Sequence, residues 1–105
     1  MYHIEDKPIL TYNSLVVDEN RYTVSYDGKT LTPPKKIFDL LKLFISNPGV
    51  YLSRNQIINL IWPSDVIVLD RTVDVHIVKI KKLLDDKDLI VNLKGRGYKL
   101  NENIK

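Results

Sequence analysis

The sequence predicts one α+β domain in which an antiparallel β-meander leads into three helices and a β-hairpin follows them. Three observations point there. Short β-branched and aromatic runs alternate with turn residues over 8–32, apolar residues recur at helical spacing over 33–88, and two strand-like runs flank a basic, glycine-containing loop over 89–100. At 105 residues, 44% hydrophobic and 28% charged, the chain has enough apolar material for one modest core and not for two. Residues 1–7 read as a tail or linker remnant and 8–105 as the folded domain.

The meander comes first. ILTY, LVVD, RYTVSY and KTLT are separated by Asn13-Ser14, Glu19-Asn20 and Asp27-Gly28, which predicts four antiparallel strands with Asp27-Gly28 as the strongest hairpin turn. Thr32 before Pro33 and Pro34 reads as an N-cap and first turn. Ile37, Leu40, Leu41, Phe44 and Ile45 then carry the first helix until Asn47-Pro48-Gly49 stops it. Ser53, with Gln56 three positions on, caps a short second helix that buries Ile57, Leu60 and Ile61 and ends near Trp62 and Pro63.

Asp70 is the expected cap of a third helix running to about Asp85. Its β-branched content makes a strand the rival, because Val73, Val75 and Ile77 also alternate, but Ile80 and Leu84 extend only the helical period. LIVNL and GYKL then form a hairpin whose loop is Lys94, Gly95, Arg96 and Gly97.

Composition excludes several classes. No cysteine is present, so disulfide and thiolate chemistry are absent, as befits a reducing cytoplasm. The longest apolar run is Val66 to Leu69, and MYHIEDK lacks a signal pattern, so a soluble, cytoplasmic protein without membrane association is expected. Charge is uneven: residues 1–70 carry seven Lys/Arg against eight Asp/Glu, residues 71–105 nine against five. The last third is where a polyanion would be met.

The third helix sharpens that expectation. Val73, Ile77, Ile80 and Leu84 fall on one side, while Arg71, Val75, Val78, Lys79 and Lys82 span the other. Exposed valines among cations gain nothing from water, although isolated surface valines are common. In a major groove, cations meet phosphates and guanine acceptors, and a small apolar group meets a thymine methyl. Three helices of this kind followed by a basic hairpin make a winged helix-turn-helix.

DRTVDVHI with its following lysines, LSRNQIINLIW, the upstream LT with IFDLLKLF, and the terminal KGRGYKL together resemble the OmpR/PhoB-type effector domain of bacterial two-component response regulators. The likeness runs from about residue 8 through nearly all of the chain. It implies an N-terminal four-stranded sheet, a three-helix core with the third as recognition helix, and a C-terminal wing. It also implies transcriptional control through double-stranded promoter DNA, usually by head-to-tail dimers on direct repeats. Such regulators carry a receiver domain fed by a sensor kinase, for which 105 residues leave no room. The expectation is therefore an excised effector domain or a regulator without that input. Val78 stands where the family is often basic, and lysines stand where arginines are common. Lysine lacks arginine's bidentate fork for guanine, so base preference is expected to differ.

By the same resemblance, Arg71, Thr72 and His76 match phosphate-contacting positions, with a packed flank residue the alternative for His76, and Val75 and Lys79 match base-contacting ones. Lys81 and Lys82 are assigned to the DNA backbone or a solvated lysine face. Trp62 is expected to bury its ring in the core, with its indole N–H toward a phosphate in a secondary role. Lys94 and Arg96 lie at the wing, where a long cation enters a narrow A/T-rich minor groove; Gly95 and Gly97 serve turn geometry. In PSDVIVL the matching loop is the one that touches RNA polymerase, which makes Asp65, Val66, Ile67 and Val68 its contact residues. The plainer expectation is that Val66, Val68 or Leu69 tucks under the helices.

Catalysis is not expected. The only histidines are His3 and His76, DDKD lacks the glycine and spacing of a calcium loop, and KGRGY lacks the third glycine and following helix of a nucleotide fingerprint. No metal or cofactor is called for. The contrasting function is a winged-helix protein-interaction module that does not itself bind DNA.

Overall fold

The structure, a computed structural model, describes residues 6–105. His3 and most of the expected tail lie outside the described residues; Lys7, at that tail's end, exchanges hydrogen bonds with Asn20.

Strands β1 (Ile9–Tyr12), β2 (Leu15–Asp18), β3 (Thr23–Tyr26) and β4 (Lys29–Leu31) form an antiparallel sheet in sequential order. Asp27 and Gly28 both adopt positive φ, as a two-residue hairpin turn requires. Leu15, Val17, Val24 and Tyr26 point to one buried face, as the period of two dictates. Against that face lies α1 (Lys35–Ser46), which buries Ile37, Phe38, Leu40, Leu41, Phe44 and Ile45.

Thr32 does not cap α1. The N-cap is Pro34, with no side-chain cap bond. A residue before proline is driven out of the α region, so Pro33 and Pro34 in succession hold Thr32 and Pro33 extended and delay the helix until Lys35.

Helix α2 (Arg54–Ile61) starts as its sequence predicts: Ser53 Oγ accepts from the Gln56 N–H at 3.1 Å, and Gln56 Oε1 from the Ser53 N–H at 2.8 Å. Its burial differs from expectation. Ile57 is buried and Ile61 half-buried, but Leu60 is 64% exposed. The inward arc runs through Ile57, Ile58 and Ile61, and Leu60 lies roughly 100° from its centre at about 100° per residue.

Helix α3 (Asp70–Leu83) buries Val73, Ile77 and Ile80, and Leu84 just beyond its end is buried as well. Asp70 is not its cap. Leu69 holds that position without a side-chain bond, and Asp70 sits in the first turn, where its charge complements the helix dipole as Lys81 and Lys82 do in the last. The helix ends before Asp85 in a Schellman turn: the N–H of Asp86 donates to the Lys81 carbonyl and that of Asp85 to Lys82, with Asp85 at φ 52°.

Strands β5 (Ile90–Leu93) and β6 (Gly97–Leu100) pair antiparallel as the wing. Leu52 bridges to Tyr98 on the other edge of β6 through reciprocal N–H to carbonyl bonds of 2.8 and 2.9 Å, fixing the wing to the start of α2. Among the described residues, no helix is long and apolar enough to cross a membrane.

Candidate nucleic-acid interface

Arg71, Val75, Val78 and Lys82 repeat at intervals of four, three and four, so they form one straight stripe along α3. Val73, Ile77, Ile80 and Leu84 repeat the same intervals on the buried side. Val75 is 44% and Val78 46% exposed, and Arg71, Lys79 and Lys82 are exposed with them. Among the described residues, none of these three cations lies within 4.0 Å of a carboxylate. Lys81, closer to the seam, is half-buried.

A second group flanks the stripe. His76 Nδ1 lies 2.7 Å from the Thr72 backbone oxygen. A carbonyl only accepts, so Nδ1 carries the proton and Nε2 is the nitrogen left for other contacts. The Trp62 ring meets His76 edge-on at 5.4 Å, and Lys36 Nζ lies 5.8 Å from the Trp62 ring while donating to the Ile61 carbonyl. Trp62 is half-buried at the core's margin rather than within it, because Pro63 ends the chain's inward course immediately after α2. Thr72 and His76 are half-buried beside it.

The wing and α3 share a polar junction. Asp74 Oδ1 accepts from Arg54 Nε at 2.8 Å and from the Tyr98 hydroxyl at 2.5 Å, while the Arg54 guanidinium lies 5.5 Å from the Tyr98 ring centre. Desolvation favours protonated Asp74, but the bonds from Arg54 and Tyr98 outweigh it and hold the carboxyl below its ordinary value. Burial, then the bond to Asp74, pushes the Tyr98 phenol up. Three elements thereby meet at one carboxylate: α2, α3 and β6.

Beyond that junction, the wing's turn closes through the Arg96 N–H to the Leu93 carbonyl, leaving Lys94 and Arg96 exposed. Gly97 passes so near Leu52 that a Cβ would stand 2.0 Å from its carbonyl oxygen. Glycine is required there by contact as well as by a φ of 111°.

The segment between α2 and α3 does not join the core. Asp65, Val66, Ile67 and Leu69 are exposed, Ile67 to 94%, and only Val68 is half-buried. Of the three residues expected to tuck beneath the helices, Val66 and Leu69 do not, and Val68 is only half-buried. A turn closed by the Val66 N–H on the Pro63 carbonyl lifts the segment outward.

Sequence reasoning missed the Arg54–Asp74–Tyr98 junction. A signal was present, since Asp74 adjoins Val73 in the buried seam, and a carboxylate at a core's edge needs partners. Which residues would supply them depended on the wing's path.

A four-stranded sheet, three helices and a hairpin wing beside an exposed third helix define a winged helix-turn-helix domain. Residues 28–100 match the family described as transcriptional regulatory protein, C terminal, and the chain belongs to that family. The sensory transduction protein RegX3 of Mycolicibacterium smegmatis is 32% identical over an alignment of 99 positions that covers 90% of this chain and 43% of that protein. The chain thus spans less than half the length of the curated relatives it matches. The DNA-binding domain of E. coli CadC superposes with a TM-score of 0.76 at 29% identity, covering 91% of this chain and 94% of that one. The DNA-binding domain of the response regulator AdeR, solved in complex with an intercistronic region, gives 0.77 at 26% identity over 87% and 97%. The OmpR/PhoB-type likeness of the sequence is thereby extended to the fold.

Proposed function

We propose that this chain is the DNA-binding effector domain of a transcriptional response regulator and reads double-stranded promoter DNA sequence-specifically. The carrying observation is the stripe of exposed valines between cations on α3 that have no carboxylate partner among the described residues, next to a basic wing. In this reading α3 enters the major groove, with Val75 and Lys79 on base edges. Arg71, Thr72, His76, Lys81, Lys82 and the Trp62 indole N–H meet phosphates, and Lys94 and Arg96 enter the minor groove. The AdeR domain's complex with an intercistronic region supports it.

The domain is non-catalytic and works in the cytoplasm. A receiver domain answering a sensor kinase supplies its input, and two copies sit head-to-tail on direct repeats. The exposed segment Asp65, Val66, Ile67 and Val68 supplies the RNA polymerase contact, since an apolar surface fits a transient partner. Selecting bound duplexes from a random library and titrating the best at two salt concentrations tests the proposal. A recurrent motif whose affinity falls steeply with salt is expected. No motif, or salt-independent affinity, would favour a protein-interaction module.

A further inference from the structure

Val78 has no assigned role in that reading, yet it shares the outward stripe with Val75 and is equally exposed. The two valines lie between Arg71 and Lys82, one cation at each end of the stripe. At about 1.5 Å per residue the two cations stand roughly 16 Å apart, more than the roughly 12 Å width of a major groove. With α3 seated in the groove, its ends therefore lie over the phosphate walls while its middle faces base edges. The middle is Val75 and Val78, separated by about 4.5 Å of helix rise, close to the roughly 3.4 Å spacing of stacked base pairs.

The chemistry of that middle is narrow. Residues 71–82 contain no Asn or Gln to pair with adenine. The one carboxylate among them, Asp74, accepts from Arg54 and Tyr98 and is occupied there rather than at a cytosine amine. Arginine occurs only at the stripe's end, so no bidentate guanidinium stands at its centre. Lys79 beside the stripe can meet guanine acceptors, but on the stripe itself two branched apolar groups remain, and the base-edge feature that they distinguish is the C5 methyl of thymine.

Resting on the DNA-binding reading above, we propose that Val75 and Val78 act as a pair that selects operators carrying two neighbouring thymine methyl groups, with Arg71 and Lys82 clamping the phosphates on either side. Val78 is then a specificity-determining residue, and a basic residue in its place would exchange a methyl contact for an acceptor contact.

The test uses the best duplex from the random-library selection, with each thymine replaced in turn by deoxyuridine, which removes the methyl and keeps every hydrogen-bonding group. Affinity of the unaltered protein is expected to fall about fourfold, the factor for one buried methyl, at each of two neighbouring positions and to hold elsewhere. Val78→Ala abolishes the sensitivity at one position and Val75→Ala at the other, with melting temperature unchanged because both side chains are exposed. Tolerance of deoxyuridine at every position overturns the proposal, as does a Val78→Ala protein that keeps both sensitivities. Salt-dependent binding that is blind to methyls overturns the methyl reading alone, whereas failure to bind any duplex overturns the DNA reading with it. Methyl-blind duplex binding with Val75 and Val78 engaged by a second protein would make the stripe a protein contact and likewise overturn it.

Discussion

Tyr98 of the wing donates its hydroxyl to the Asp74 carboxylate of α3 at 2.5 Å, so one side-chain hydrogen bond ties the wing directly to the third helix. Tyr98→Phe should lower unfolding free energy by about 1 kcal/mol, the scale of one partly solvated hydrogen bond. Duplex affinity should drop several-fold with the selected motif unchanged. Denaturant melts paired with duplex titrations check both; unchanged affinity would show that the wing is positioned by Leu52 alone.

Acid should expose the same junction. Asp74 has a folded-state value below the ordinary 3.8, so its stabilisation is complete above that value and is lost as pH falls through the lowered one. Stability curves of the parent and Asp74→Asn should stay apart at neutral pH and converge in acid. The gap should be modest, since Arg54 and Asp74 are both partly exposed.

Two glycines of the wing should respond differently to alanine. At Gly97 a Cβ meets the Leu52 carbonyl oxygen at 2.0 Å, whereas at Gly95 it meets nothing within 4 Å. Gly95→Ala should cost about 1 kcal/mol for its positive φ. Gly97→Ala should cost more than about 2 kcal/mol and uncouple the wing, visible as lost hydrogen-exchange protection at the Leu52 and Tyr98 amides.

Cations at the ends of α3 should behave unlike the residue beside its centre. Arg71→Ala or Lys82→Ala should weaken all duplexes alike and reduce the salt slope by about 1. Lys79→Ala should relax preference at particular positions, by about 1–3 kcal/mol per lost base contact. Competition assays against single-base variants separate the two patterns.

Changing Asp65 and Val66 to Ala should leave melting temperature within the noise of a surface substitution, about 0.5 kcal/mol, and leave duplex affinity intact. Transcription from a cognate promoter should fall. A loss of duplex affinity would place the segment on the DNA surface instead.

Elements with a strong local signal were legible in the sequence. The Ser53–Gln56 capping box, the Asp27-Gly28 turn and the α3 seam are each encoded within a few residues, and each is found where expected. What misled was local reasoning where a neighbour intervenes. Thr32 resembles a cap until two prolines forbid it the role, and Leu60 resembles a core residue until the actual inward arc of α2 is known. The Arg54–Asp74–Tyr98 junction draws on residues 20 and 24 positions apart, which no periodicity connects. The exposed valines of α3 were legible because they break a rule about surfaces.

The inward and outward stripes of α3 have the same spacing and no residue in common. If the outer residues read DNA as proposed, codon changes at 75, 78 or 79 would alter which promoters are visited without touching the buried seam, and a duplicated gene could diverge toward its own regulon without passing through an unfolded ancestor. Relatives should accordingly differ more along the outer stripe than along the inner one.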